Sequence, residues 1–312
     1  MQPSKQPQAI LLMGATATGK TDLAVNLAQR FPVEIVSVDS ALIYREMNIG
    51  TAKPDASVLQ QAPHFLIDIL DPAESWSVWD FVQQATQLII EINQRGHIPL
   101  LVGGTMMYFN ALQQGMNELP MANDRIRDNL NNRLQQEGLA GLYAELERID
   151  PASAARIKPG DPQRILRALE VYQITGKPLS LLTQSENGKP DISFQRVILD
   201  VADRKLLHHR IEQRFHQMLE QGFEQEVELL YQRGDLNLQM PSIRCVGYRQ
   251  MWLYLQGEYS YQSMVDKSIV ATRQLAKRQL TWLRKYNEAL KIDYNNYTYS
   301  EVHSYLRLSE ER

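Results

Sequence analysis

Residues 14–21 read Gly14-Ala15-Thr16-Ala17-Thr18-Gly19-Lys20-Thr21 and follow the apolar run Ala9-Ile10-Leu11-Leu12-Met13. The next residues, Asp22 to Ala28, have the spacing of a helix. A strand, a loop and a helix in this order supply the context that the pattern G-x-x-x-x-G-K-[ST] requires. The sequence therefore predicts a phosphate-binding loop (P-loop), while leaving open which phosphate compound it holds.

The composition of this loop follows from the chemistry of phosphate binding. Glycines let backbone N–H groups turn toward a phosphate, and the following helix directs the positive end of its dipole to the same point. Lys20 would add a mobile positive charge, and Thr21 would offer its hydroxyl to a magnesium ion. The residues expected around the phosphate are Gly14, Ala15, Thr16, Ala17, Thr18, Gly19, Lys20 and Thr21.

Short apolar segments alternate with helical ones on both sides of a long polar stretch. Strands are predicted at Val33–Val38, His64–Leu70, Ile98–Val102 and Gln195–Val201, with a helix from Val78 to about Arg95. This alternation predicts a parallel sheet with helices on both faces.

Ligands in such sheets lie at the carboxyl ends of the strands. Gly14, Asp39, Asp68 and Gly103–Thr105 all occupy predicted strand ends, so we expect them to converge on one site.

Residues 123 to 185 have helical patterns throughout. Helix starts are expected at Asn123 or Asp124, at Asp150-Pro151 and at Asp161-Pro162, with an end near Gly176. The predicted fold is thus α/β: a P-loop parallel-sheet core (residues 1–120 and 195–312, the latter with a helical C-terminal part) carrying an inserted all-helical domain (residues 121–194).

The bulk composition is that of an ordinary globular protein. The 312 residues carry a net charge of −3, which does not by itself indicate a nucleic-acid binder, although the last third is locally basic. Cys245 is the single cysteine, which excludes an internal disulfide and a cysteine metal cluster. The polar start and the lack of a long apolar run lead us to expect a cytoplasmic protein with no membrane contact.

A P-loop commonly indicates phosphoryl transfer or nucleotide hydrolysis, in which an acid after a strand holds magnesium. Asp39 and Asp68 are the two candidates. Neither belongs to an Asp-Glu pair of the kind that activates water, so an ATPase motor is disfavoured. A kinase of a nucleoside or small metabolite stays open on this pattern.

Several further blocks occur together with the P-loop. The blocks are residues 14–21, 37–45, 49–54, 64–71, 101–105, 161–164, 244–250 and 277–284. With these blocks in order, from about residue 9 to 285, the chain closely resembles the bacterial tRNA dimethylallyltransferases, also called tRNA isopentenyltransferases. Ala15 departs from the proline common in that family, and Leu42 from its frequent glutamine.

The resemblance implies prenyl transfer. The P-loop would hold the diphosphate of dimethylallyl diphosphate with Mg²⁺, and the acceptor would be N6 of adenosine 37 in tRNAs that read codons starting with U. By the same resemblance Asp39 would be the general base, while Lys20 and Arg214 would stabilise the leaving group and Thr105 would contact the adenosine.

The resemblance also assigns contacts to tRNA, with the inserted domain around the anticodon stem. Cys245 would be structural or a neighbour of the bound base, since no histidine accompanies it as a base. A monomer with no obligate protein partner is expected. Arg127 is as well explained as an exposed arginine without a role. The expected tRNA contacts are Asp39, Ser40, Ala41, Leu42, Thr105, Arg127, Gln163, Arg164, Ile165, Leu166, Arg167, Arg244, Cys245, Val246, Gly247, Tyr248, Arg249, Lys277, Arg278, Gln279, Leu280, Thr281, Trp282, Leu283 and Arg284.

Three alternatives compete with this interpretation. They are the kinase, a non-catalytic RNA-binding protein switched by a nucleotide, and a prenyltransferase whose acceptor is free AMP or ATP. The kinase does not need the basic blocks near the C-terminus, and the switch does not need Asp39 at the acceptor. The AMP enzyme would lack the segments between Gln163 and Arg284.

Overall fold

The computed structural model describes residues 6–183, 189–294 and 299–306. These form two compact units, Met1–Gln113 with Asp191–Arg312, and Gln114–Pro190. Residues 184 and 185, at the end of the predicted helical stretch, lie outside the described residues. In the described part of the chain, no helix is both long enough and apolar enough to cross a membrane.

The first unit is built on a parallel sheet of six strands in the order β3-β2-β4-β1-β5-β6. Within the described residues every pair of neighbouring strands is parallel, so the predicted fold class is confirmed. The strands are β1 (Gln8–Gly14), β2 (Val33–Val38), β3 (His64–Phe65), β4 (Ile98–Gly103), β5 (Ser193–Asp200) and β6 (Leu290–Asp293).

Helices fill the connections between the strands and form all of the regular structure described in the second unit. α5 is interrupted at Gly138, whose φ of +74° and ψ of 168° are not helical. The helices are α1 (Lys20–Ala28), α2 (Ala56–Gln61), α3 (Val78–Gln94), α4 (Met106–Gln114), α5 (Asp124–Ile149), α6 (Pro151–Ala154), α7 (Pro162–Thr175), α8 (Leu179–Leu182), α9 (Arg204–Glu220), α10 (Phe223–Gln232), α11 (Tyr248–Leu255), α12 (Tyr261–Leu283) and α13 (Tyr299–Leu306).

The position of β1 explains its uninterrupted apolar sequence. It pairs with β4 on one side and β5 on the other, and every residue from Ala9 to Gly14 is buried. A central parallel strand is covered on both faces, so it does not alternate between apolar and polar residues. Gly14 is therefore held at the carboxyl edge of the sheet, between the ends of β4 and β5.

The predicted strand His64–Leu70 is wrong beyond its second residue. Leu66 and Asp68 have φ values of +62° and +56°, which a strand does not accommodate. The amide of Asp68 donates to the Leu42 carbonyl at 3.2 Å, and that of Leu70 to the Ile43 carbonyl at 3.0 Å. The apolar residues of this segment thus cover the loop after β2 and do not extend the sheet.

The helix starts in the second unit follow the predicted capping residues. The Asn123 side chain accepts from the amide of Ile126 at the start of α5, and Asp161 accepts from that of Arg164 at the start of α7. Pro162 occupies the first position of α7, where its missing N–H costs nothing. Gly176 ends α7 in the left-handed conformation, as expected.

Candidate active site

The loop between β1 and α1 has the features needed to hold an anion. Ala17 and Gly19 adopt φ values of +62° and +81°, and the first turn of α1 has no side-chain cap. The Lys20 ammonium donates to the Ala15 carbonyl at 2.6 Å, and the Thr18 hydroxyl donates to the same oxygen at 2.8 Å. The amides at the start of α1 are therefore left to a ligand.

Two positive charges share the space beside this loop. Burial, and after it the charge of Arg214, lowers the pKa of Lys20 to about 7, although Asp39 opposes the shift. Burial also lowers the pKa of the Arg214 guanidinium, against the attraction of Asp39. Asp39, and after it Asp22, attract these cations but do not cancel the lowering of their pKa values, so a bound anion would stabilise both charged forms.

The carboxylate is Asp39, which follows β2 directly. Its Oδ1 accepts from the amides of Ala41 at 2.8 Å and Leu42 at 3.4 Å. Burial raises the pKa of Asp39, while those two amides and the neighbouring cations counteract part of the rise. Oδ2 has no hydrogen-bond partner among the described residues, so it can accept a proton from a ligand.

Thr105 joins the ends of two strands next to this carboxylate. Its hydroxyl accepts from the Ser40 amide at 3.2 Å, and its own amide donates to the Val38 carbonyl at 3.2 Å. The strand ends therefore bring Gly14, Asp39 and Thr105 into one region, as the sequence predicted.

A cavity of about 710 Å³ lies over these strand ends. Apolar side chains of α9 that the sequence analysis missed, Ile211, Phe215 and Met218, form part of its wall. Burial raises the pKa of the Cys245 thiol there to about 12, so this group is neutral and unreactive at physiological pH. The predicted residues that line the cavity are Thr16, Ala17, Asp39, Ser40, Ala41, Thr105, Arg214, Arg244, Cys245, Val246, Gly247, Tyr248, Arg278, Gln279 and Trp282.

Asp68 does not line this cavity, contrary to the expectation that it converges with the other strand ends. Its carboxylate pairs with the ammonium of Lys53, which also donates to the Tyr44 carbonyl at 2.9 Å and to Asn48 Oδ1 at 2.8 Å. The early end of β3 places Asp68 in the loop that covers residues 42–43. Asp39 is thus the remaining strand-end acid of the two.

Other predicted contacts lie outside the cavity. Arg249, Lys277, Thr281 and Arg284 are exposed, whereas Leu283 is buried and Leu280 half-buried. Leu280, Leu283 and Arg284 line a separate cavity of about 220 Å³.

In the helical unit the predicted arginines differ in their surroundings. Gln163 is exposed, Ile165 is buried in the core and Leu166 packs against that core. The Arg164 side chain is 70% exposed and pairs with Asp161 at 3.1 Å. Arg167 and Arg127 are instead turned toward one carboxylate.

That carboxylate is Glu170, whose side chain is only 2% exposed. It accepts from Arg167 at 2.7 Å, from Arg127 at 2.9 Å and from the Asn123 amide at 3.0 Å. Burial alone would raise the pKa of Glu170, but these donors hold it below its usual value. Arg127 and Arg167 therefore stabilise the junction of α5 and α7.

Gln279 connects two loops of the site, a role that its position in a basic block does not indicate. Its Oε1 accepts from the Thr16 amide of the P-loop at 2.9 Å, and its Nε2 donates to the Gly104 carbonyl after β4 at 2.9 Å. The side chain is buried. One glutamine of α12 thus fixes the P-loop to the end of β4.

The fold and the site define an α/β protein with a P-loop, in which half-buried cationic side chains lie beside a half-buried carboxylate. The chain belongs to the IPP transferase family, whose model matches residues 42–286.

Solved structures agree with this assignment. The full-length tRNA isopentenylpyrophosphate transferase from Bacillus halodurans is 36% identical over 97% of this chain and 96% of that one, with a TM-score of 0.70. A tRNA delta(2)-isopentenylpyrophosphate transferase from Staphylococcus epidermidis is 30% identical over 97% and 99%, with a TM-score of 0.68. A eukaryotic dimethylallyltransferase acting on tRNA is 25% identical over 92% of this chain and 74% of that one, with a TM-score of 0.78.

The lowered pKa of Lys20 predicts proton uptake when a diphosphate binds. At pH 8 the free Lys20 is mostly neutral, because its pKa is about 7, and a bound anion would restore the charged form. Calorimetric titration with a diphosphate and Mg²⁺ in two buffers of different ionisation enthalpy should show uptake of about one proton at pH 8. The uptake should vanish in Lys20→Met. A binding heat of the wild type that does not depend on the buffer would contradict this assignment.

Replacing Gln279 should loosen the P-loop. Gln279→Leu leaves the Thr16 amide and the Gly104 carbonyl unpaired, so we expect the free energy of unfolding to fall by about 2 kcal/mol. Affinity for a diphosphate should fall as well, by about tenfold. Gln274→Leu is the matched control, because Gln274 lies exposed on the same helix. Equal effects of the two substitutions in denaturant and binding titrations would show that the two hydrogen bonds do not matter.

Proposed function

We propose that this protein transfers the dimethylallyl group of dimethylallyl diphosphate to N6 of adenosine 37 in tRNAs that read codons starting with U. The observation that carries the proposal is the meeting of Arg214, the P-loop residues Thr16 and Ala17, and Asp39 at one cavity. Lys20 lies close enough for the charges of Arg214 and Asp39 to act on its pKa. A leaving diphosphate needs the cations, and an acceptor amine needs the carboxylate.

The reaction forms one bond and breaks another. N6 of the adenosine attacks C1 of the dimethylallyl group, and the C1–O bond breaks with its electron pair going to the diphosphate. Lys20, Arg214 and the amides at the start of α1 stabilise the charge that develops on that oxygen. The N6 proton passes to Asp39 Oδ2, whose raised pKa makes it a better base than an exposed carboxylate.

The residues present suit a magnesium ion bound mainly through the substrate. Among the described residues no group of three His, Cys, Asp or Glu side chains could hold a metal ion by itself. Mg²⁺ commonly takes one or two protein oxygens together with substrate phosphates and water. The exposed Thr21 hydroxyl would be the protein ligand, and the ion would neutralise charge on the diphosphate.

The acceptor side of the cavity suits a base taken out of the anticodon loop. An enzyme that modifies a base must extrude it from its stack, and aromatic and arginine side chains hold such bases. Trp282, Arg244 and Arg278 lie on the cavity wall and supply both kinds of group. Thr105 and Ser40 would contact the adenosine, and the protein would act as a monomer.

The proposal predicts which acceptor receives the dimethylallyl group. With labelled dimethylallyl diphosphate and unmodified tRNA, label should enter the tRNA but neither AMP nor ATP. Asp39→Asn should lower kcat by about 10² to 10⁴ while leaving diphosphate binding in place, because the base is lost and the cations stay. Asp128→Asn, an exposed residue of α5, controls for the change of charge.

Label in AMP alone, or transfer of the γ-phosphate from ATP, would overturn the proposal. An Asp39→Asn enzyme with nearly wild-type kcat would remove Asp39 as the base while leaving the overall reaction in place.

Two arginines of α7 should respond differently to substitution. Arg164→Gln should weaken tRNA binding and reduce the salt dependence by about one phosphate contact, because Arg164 is exposed. Arg167→Gln should instead lower the free energy of unfolding of the helical unit by about 1–3 kcal/mol, because Glu170 loses a buried partner. Filter binding across a salt series and chemical denaturation separate the two effects. The assignment is wrong if Arg164→Gln leaves the slope unchanged.

A further inference from the structure

The segment that contains β6 lies beyond residues 42–286, which the family model matches, yet it reaches the P-loop. β6 pairs with β5 from Leu290, opposite Val197, to Asp293, opposite Asp200. The next residue, Tyr294, donates its amide to the Asp200 carbonyl at 3.0 Å. Tyr294 is thereby fixed at the carboxyl edge of the sheet, where the P-loop also lies.

The ring of Tyr294 covers the last glycine of the P-loop. Gly19 has a φ of +81°, and a Cβ placed on it would lie 2.5 Å from Tyr294 Cε2 and 2.9 Å from Cδ2. The aromatic ring therefore occupies the space beside this peptide, immediately before Lys20. The requirement for glycine at this position has two causes, the left-handed backbone and the close approach of the ring.

The same ring holds a third positive charge. Arg210 Cζ lies 3.7 Å from the centre of the Tyr294 ring, a short cation–π contact. Arg210 precedes Arg214 by one turn of α9, and after burial and the opposing charge of Asp39, its charge contributes to the lowered pKa of Arg214. Arg210 Nη1 is buried and has no hydrogen-bond partner among the described residues. A donor is thus available beside the charges of the anion site.

We propose that Tyr294 is a positioning residue for the diphosphate, which it serves by fixing both the Gly19 peptide and the Arg210 guanidinium. This inference rests on the proposed function, since it assumes that the P-loop holds a diphosphate. Three cations, Lys20, Arg214 and Arg210, then act on the bound anion. Without the ring, Arg210 loses its stacking partner and the P-loop loses its support at Gly19.

The test is calorimetric titration of dimethylallyl diphosphate, and separately of inorganic pyrophosphate, with Mg²⁺ and without tRNA. Tyr294→Leu should weaken the binding of both by about tenfold, in the range expected for a desolvated cation–π contact. Tyr294→Phe should stay within about twofold of the wild type, because ring carbons make the contacts with Gly19 and Arg210. In steady-state assays Tyr294→Leu should raise KM for dimethylallyl diphosphate while kcat and KM for tRNA stay unchanged.

Two further variants separate positioning from folding. Ile292→Ala weakens the packing of β6 in the buried core but keeps the Tyr294 ring and its amide bond to Asp200, and it should leave diphosphate affinity nearly unchanged. Arg210→Gln should lose affinity like Tyr294→Leu, and the double variant should lose less than the product of the two single effects.

Some results would overturn the inference while the proposed function stands. These are wild-type affinity in Tyr294→Leu, an equal loss in Ile292→Ala, or fully independent effects of Tyr294 and Arg210. A wild-type protein that binds neither diphosphate would overturn the proposed function and this inference together.

Discussion

The site depends on one electrostatic constraint: Lys20 and Arg214 are kept near each other and partly out of water, and Asp39 and Asp22 offset their charges only in part. Like charges at short range and partial burial both disfavour the charged forms, and the lowered pKa values of both cations express this cost. The cost is recovered when an anion of two or more charges enters. The free protein therefore keeps two cationic groups in place for an anion, and a bound anion would return Lys20 to its charged form.

Such an arrangement persists only if the backbone around it cannot relax. The P-loop is held at Thr16 by Gln279 of α12, at Gly19 by the ring of Tyr294, and at Gly14 by the strands on either side of β1. These supports come from parts of the chain far from the loop in sequence. The loop thus gains rigidity from the whole core of the first unit, as a preorganised anion site requires.

Another part of the cavity wall, formed by Gly50 and Tyr248, is held in place by a carboxylate. Glu226 of α10 accepts from the amides of Asn48, Ile49 and Gly50 at 2.7–3.1 Å, and from the Tyr248 hydroxyl at 2.5 Å. Gly50 and Tyr248 both line the cavity. Because one carboxylate accepts from three successive amides, it restricts the conformation of the loop after β2. This loop also carries the groups expected to contact the acceptor.

The sequence predicted those parts of the site that are local. The P-loop pattern, the acid after β2 and the glycines after β4 each depend on a few adjacent residues and the strand before them, and all three were located. The sequence does not predict the loop contacts made by Gln279, Tyr294 and Glu226. Each of these side chains contacts a loop more than 170 residues away in sequence. The strand at His64–Leu70 was overextended for a related reason. The backbone amides of this segment donate to the carbonyls of residues 42–43 and not to a strand. The hydrophobic pattern of the segment does not indicate that partner.

The arginines of the helical unit also show that long-range partners cannot be predicted from local sequence. Arg164 and Arg167 stand three residues apart on α7, and no sequence pattern distinguishes them. Their difference comes from Glu170, whose buried carboxylate pairs with Arg167 and Arg127. Arg164 instead pairs with Asp161, and its side chain stays 70% exposed. A buried acid decides which cations are structural and which are free for a phosphate backbone. The proposed leaving-group site consists of backbone and partly buried charge and can therefore be predicted from a motif. The proposed RNA-binding surface can be predicted only once the partners of the carboxylates are known.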